Sequence, residues 1–135
     1  MELPNGAIVA VADGEQLLMF KNNGDEKAIN LVNFSSPSVN GDNKSAGVRN
    51  QDGGPGGNDP RDLEEAAHAA GVAEWINSQV LSHKVDKLVV IADPKSIGEM
   101  RRHYHKETQN ALLGEITKTL TNSPVADIEK AIEAA

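Results

Sequence analysis

The sequence predicts an α/β fold: a mixed sheet of about five strands, an antiparallel meander first and parallel strands after it, with helices on both faces. Three observations carry this. Leu88-Val89-Val90-Ile91-Ala92 is an apolar run with no polar face, the pattern of a short strand covered on both sides. Asp93-Pro94 ends that run and starts a helix, because Asp accepts hydrogen bonds from free N–H groups and Pro at the first helical position has no N–H to satisfy. The N-terminal third alternates short apolar runs with Asp-Gly and Asn-Asn-Gly turns, as adjacent antiparallel strands do. In open α/β sheets, ligands usually sit where the carboxyl ends of strands meet helix starts.

Taken in order, Ala7 to Ala12 is the first strand, with Ile8, Val9 and Val11 supplying β-branched bulk. Asp13-Gly14 follows as a hairpin signal, because both central positions of a type I′ turn need positive φ. Gln16 to Phe20 returns, Lys21 to Asp25 turns again, and Ala28 to Phe34 forms the third strand. From Ser35 to Pro60 the composition shifts to Ser, Asn, Gly, Asp and Pro, with Val39, Ala46 and Val48 its only apolar side chains. Such a segment buries too little to offset its ordering entropy, so residues 35–60 are expected to be a long flexible loop. Its centre, Gly53-Gly54-Pro55-Gly56-Gly57, could wrap a phosphate with backbone N–H groups. It lacks the Lys and Ser/Thr of a P-loop and does not match G-x-G-x-x-G, however, so a plain flexible linker is the favoured reading.

Asp59-Pro60 restarts order, Asp59 as N-cap, and the helix it opens runs to about His83 with a stripe of Leu63, Ala67, Ala70, Ala73, Ile76 and Val80. Trp75 lies off that stripe and either covers the sheet edge or marks a contact surface. The helix from Pro94 turns Ile97, Met100 and Tyr104 inward and gathers Arg101, Arg102, His103, His105 and Lys106 at its far end. Ala111 to Leu120 reads as the last strand. Ser123-Pro124 opens a closing helix with the stripe Val125, Ile128 and Ile132.

Composition narrows the function. The chain has 135 residues, one domain by length, and only 3% aromatic side chains, so its core must be aliphatic. A net charge of -7 argues against coating nucleic acid with the whole surface, while a local basic patch stays open. The absence of cysteine excludes disulfide and thiolate chemistry and suits a reducing cytoplasm. No basic leader and no membrane-spanning apolar run is visible, so a cytoplasmic location without membrane association is expected.

The Arg101–Lys106 cluster is the one basic concentration on an acidic chain. It could bind phosphate groups, or its cations could simply complement a helix dipole. His103 and His105, two apart, point to different faces of a helix and do not make a metal site. His68 with Glu64 reads as a solvated helix face. No serine elbow and no pair of carboxylates stands out, so no cofactor, metal or catalytic residue is assigned.

Several stretches resemble the bacterial host attachment proteins, named as required for attachment to host cells: Leu3-Pro4-Asn5-Gly6, Val11-Ala12-Asp13-Gly14, Ala92 to Arg101, His105-Lys106-Glu107 and, most specifically, Glu115 to Lys130. That family looks distantly like the middle domain of archaeal and eukaryotic peptide-chain release factors, which implies a ribonuclease H-like α/β fold. In release factors, the loop before the long helix carries Gly-Gly-Gln and reaches the peptidyl-transferase centre. Here that place holds Gly53-Gly54-Pro55, so peptidyl-tRNA hydrolysis is not implied. The resemblance and the residues together lead to a non-enzymatic binding factor, associated with the ribosome or RNA and affecting attachment indirectly. In it, Gly41 to Gly57, with Gly53, Gly54, Gly56 and Gly57, acts as a mobile probe, and Arg101, Arg102, His105 and Lys106 act as anion contacts. The alternatives are a protein-interaction module or homo-oligomer using Trp75 and a sheet edge, and, less supported, a hydrolase of RNA or peptidyl-tRNA.

Overall fold

The computed structural model describes residues 1–34 and 60–135. The readings that fall on residues 35–59, the glycine cluster and the Asp59 cap among them, lie outside the described residues. The strands are β1 (Ile8–Ala12), β2 (Leu17–Asn22), β3 (Leu31–Asn33), β4 (Leu88–Ala92) and β5 (Leu112–Thr117). The described helices are α1 (Pro60–Leu81), α2 (Pro94–Arg101), α3 (Lys106–Ala111) and α4 (Val125–Ala134). One sheet forms in the order β3-β2-β1-β4-β5. β1 pairs antiparallel with β2 and parallel with β4, and β4 pairs parallel with β5. The expected mixed sheet with helices on both faces is therefore what the chain adopts.

Both central strands are buried at every position, which is why their sequences show no polar face. Alternation divides them between two cores. Ile8, Ala10, Ala12, Leu88, Val90 and Ala92 face α1, α2 and α3, where they meet Ala69, Val72, Ala73, Ile76, Ile97 and Met100. Val9, Val11, Val89 and Ile91 face the other way and meet Ile116 and, on α4, Ile128 and Ile132. Alanines on both partners, Ala10 and Ala12 against Ala69 and Ala73, let α1 approach the sheet closely.

Several local readings change. Neither Asp13 nor Gly14 has positive φ, so the β1–β2 connection is not a type I′ turn. Instead the Asp13 carboxylate accepts from the backbone N–H of Glu15 (2.7 Å) and Gln16 (2.6 Å) and closes the loop from within. The third strand is shorter than residues 28–34. Asp25 Oδ1 accepts from the N–H of Lys27 and Ala28, and this turn takes the residues that would have extended it.

The α1 helix stops at Leu81, with His83 at φ 65°, His83 N–H donating to Val80 O and Lys84 N–H to Gln79 O. That is a Schellman ending made without glycine. Residues 106–111 form a helix ahead of β5, not noticed in the sequence, so β5 starts at Leu112 and ends at Thr117. In α4, Val125 is exposed rather than part of the inward stripe, and Ala131 takes its place beside Ile128 and Ile132.

His68 is a correction of substance. It is buried rather than solvated, with Nε2 3.2 Å from the Gln16 carbonyl oxygen, because α1 lays that face on the β1–β2 turn.

Candidate nucleic-acid interface

The basic cluster is built at the exit of α2. Asp93 caps the helix, accepting from Ser96 N–H at 3.1 Å and from Ser96 Oγ at 2.7 Å, and Ile97 and Met100 pin it to the sheet. At the other end, Arg102 N–H closes onto the carbonyls of Glu99 and Met100. The chain then tucks Tyr104 into the core and restarts as α3, which His105 caps by accepting from Glu107 N–H on Nδ1 at 3.0 Å. With Nδ1 engaged as an acceptor, Nε2 is the ring nitrogen of His105 that the cap leaves over.

Asn77, on α1, holds this turn from behind. Its Nδ2 donates to His103 O (2.8 Å), while its Oδ1 accepts from His105 N–H (2.9 Å) and Thr108 Oγ1 (2.7 Å). Arg101, Arg102, His105 and Lys106 are thus all exposed, around the turn between α2 and α3. Asn77 escaped the sequence reading. Its one signal was an amide residue, a poor helix former, in the middle of a long helix.

The charges of the turn are largely balanced locally. Arg101 donates from Nε (2.9 Å) and Nη2 (2.6 Å) to Glu115 Oε1 on β5. That hydrogen bond, followed by the Glu115 charge, pushes the guanidinium further into its protonated range. Glu99 serves two partners, Arg102 Nη1 at 3.5 Å and His103 Nε2 at 3.0 Å. Lys106 forms no ion pair with another described residue.

At the opposite end of α2 lies a cleft of about 310 Å³, lined by Asp62, Glu65, Asp93, Lys95, Ser96 and Glu99. It sits where the carboxyl end of β4 meets the starts of α1 and α2, the place where α/β sheets usually take ligands. Its charge is wrong for a phosphate. Four carboxylates face one ammonium, and that ammonium, Lys95 Nζ, is already 3.0 Å from Asp62 Oδ1. The other cationic side chains of this helix lie at its far end, at Arg101 and Arg102. Among the described residues no cluster of His, Asp or Glu is arranged to hold a metal ion.

At the end of β1, the Asp13 carboxylate is fully engaged. Beyond the two backbone N–H groups, its Oδ2 accepts from Thr121 Oγ1 at 2.6 Å. Burial works to raise its pKa, but the Thr121 hydroxyl, the two N–H groups and nearby His68 outweigh this and hold the carboxyl below its ordinary value. Such a carboxylate ties the structure together and is not free for general-base work.

Trp75 is half-buried and packs against the α1-side core. No described helix is long and apolar enough to cross a membrane.

The chain is an α/β domain with a mixed sheet, a long helix behind it and a basic turn at the end of α2, consistent with the release-factor-like domain that the sequence resembles. Comparison with family models bears this out. The model for bacterial archaeo-eukaryotic release factor family 12 matches residues 6–132, and the chain belongs to that family. A search of curated proteins found no match.

Proposed function

We propose that this protein is a cytoplasmic, non-enzymatic factor that associates with the ribosome or with RNA, and that any effect on attachment to host cells is indirect, through translation. The family match across residues 6–132 carries this reading. The placement of Arg101, Arg102, His105 and Lys106 around one exposed turn supports it, since clustered cationic donors suit phosphate oxygens. By the sequence resemblance, Gly53, Gly54, Gly56 and Gly57 stand in the chain where release factors carry Gly-Gly-Gln, without its glutamine, which favours contact over hydrolysis. The engaged Asp13 carboxylate also disfavours a hydrolase.

The test is co-sedimentation with ribosomes at low and high salt, comparing the wild type with Arg102→Ala/Lys106→Ala. These two cations are chosen because Arg101 already holds Glu115, whereas Arg102 is loosely paired and Lys106 is unpaired among the described residues. Binding should weaken steeply with salt, and the double variant should lose affinity and have a salt slope shallower by about 2. Absence of sedimentation at low salt overturns the reading. It would turn attention to a protein partner on the β5 edge, where Leu113 is 42% exposed.

A further inference from the structure

The anion-facing turn carries its own competitor. Arg101 is 63% exposed, but both of its contacting nitrogens go to one oxygen of Glu115, a side chain that is only 17% exposed. The other oxygen, Glu115 Oε2, is buried and has no hydrogen-bond partner. A second orphan lies on the same face of the sheet: Glu115 sits opposite Val90, which shares a core with Tyr104, and the Tyr104 hydroxyl, on a side chain 8% exposed, also has no partner. Glu115 and Arg101 both act electrostatically on that phenol. Buried polar groups almost always find partners, so two orphans beside one ion pair need an explanation.

We propose that Glu115 stands in for a phosphate in the free protein, and that a phosphodiester group of RNA displaces it from Arg101, Glu115 then taking the Tyr104 hydroxyl as its donor. This rests on the reading of the turn as an RNA contact. Releasing Arg101 alone would strand a largely buried carboxylate, which is costly. A neutral phenol beside it removes much of that cost, because a carboxylate accepts a strong hydrogen bond from an O–H group. Burial first, and the Glu115 charge second, push ionisation of Tyr104 well above the ordinary tyrosine range, so it remains a donor at neutral pH. The guanidinium fork fits a carboxylate and a phosphate alike, so the exchange needs only side-chain rotation. Arg102 needs no such device, since its pair with Glu99 is long, at 3.5 Å, and is a single contact.

The experiment measures binding of a labelled oligouridylate, by fluorescence anisotropy, to the wild type, Glu115→Gln, Tyr104→Phe, Arg101→Ala and Arg101→Ala/Glu115→Gln. Glu115→Gln should bind at least about threefold tighter, because the competing charge is gone. Tyr104→Phe keeps the buried ring and should fold as the wild type does, yet bind more weakly. A purely structural tyrosine would leave binding unchanged. In the double variant the gain from Glu115→Gln should vanish. The chain has one tyrosine, so the resonance of isotope-labelled Tyr104 Cζ reports its hydroxyl directly and should shift when oligouridylate is added.

Wild-type binding that depends on Arg101 but is unchanged in Glu115→Gln and Tyr104→Phe overturns the exchange and leaves the functional reading standing. Binding indifferent to both Arg101 and Glu115 overturns the exchange and moves the RNA contact to another surface. If no variant binds, Glu115→Gln included, the exchange falls, and absence of ribosome co-sedimentation would separately remove the functional reading.

Discussion

A single side chain, Asn22, shows how much of this fold rests on satisfied polar groups. It is the last residue of β2 and fully buried. Its Nδ2 donates to Leu3 O at 2.8 Å, and its Oδ1 accepts from Gly24 N–H at 2.9 Å and Asn30 N–H at 3.0 Å. One amide thereby joins the N-terminal segment to both sides of the β2–β3 turn. Gly24 belongs to the same construction, since a Cβ there would collide with the Ala28 carbonyl oxygen. Replacing Asn22 with Ala strands two backbone N–H groups and one carbonyl. The Leu3 carbonyl bond is buried and the two N–H bonds are only part-buried, so water recovers part of the loss; with about 1–3 kcal/mol for a fully buried orphan, Asn22→Ala should lose roughly 2–4 kcal/mol in urea unfolding with little change in m-value. The sequence placed a turn at Lys21 to Asp25 but could not show that Asn22 is inside. Its burial comes from Leu3 passing alongside, a contact across 19 residues of chain.

At the scale of elements, the boundaries that were hard to read are those set by partners on other elements. The short helix α3 has no apolar periodicity, and of its residues only Thr108 and Ala111 are buried. It exists because His105 caps it and Asn77 of α1 holds the residues around its start. Asn77→Ala should leave α1 intact, as Ala is the better helix former, while the turn from Arg102 to Lys106 loosens. The expected result is lost hydrogen-exchange protection at the His105 amide, the group that donates to Asn77 Oδ1. Unchanged protection there would mean that the turn is held by Tyr104 packing alone. By contrast, the Asp93 cap and the Pro94 start of α2 were legible because they act within a few residues. The His83 ending of α1 was nearly legible, missed by two residues, since a non-glycine left-handed residue gives no compositional warning.

Across the whole molecule, the Asp13–Thr121 hydrogen bond spans 108 positions and ties the β1–β2 hairpin to the connection between β5 and α4. Because the folded Asp13 carboxyl titrates below its unfolded value of about 3.9, its contribution to stability is present above that pH. It is lost as pH falls through the lower, folded value. Thr121→Val removes the donor to Oδ2, so the folded pKa should rise toward the unfolded value, and the part of the acid loss that Asp13 causes should become smaller and end at higher pH. Urea midpoints measured from pH 7 down to about pH 2.5 would show this, with the variant also less stable at pH 7. Parallel acid profiles in the two proteins would remove Thr121 from the account.

The division of labour between α2's two ends is likewise a property of the whole. Glu99 lines the acidic cleft and also holds Arg102 and His103, so one side chain joins the acidic start of the helix to the basic turn at its end. In the linear chain these residues look like an ordinary mixture of charges on a helix.

Local chemistry along the chain was enough for the α/β class, the buried β4 strand, the Asp93-Pro94 helix start and the position of the basic cluster. Apolar runs, caps and turn residues act over a few positions, and their physics does not depend on what lies across the fold. Packing chose the rest: the burial of His68 and Asn22, the service of Asn77 behind the turn, and the pairing of Arg101 with Glu115 beside an unpartnered Tyr104. Each of these depends on which side chain another element brings within hydrogen-bond reach. That distance is fixed by strand order and helix placement, so no spacing along the sequence records it.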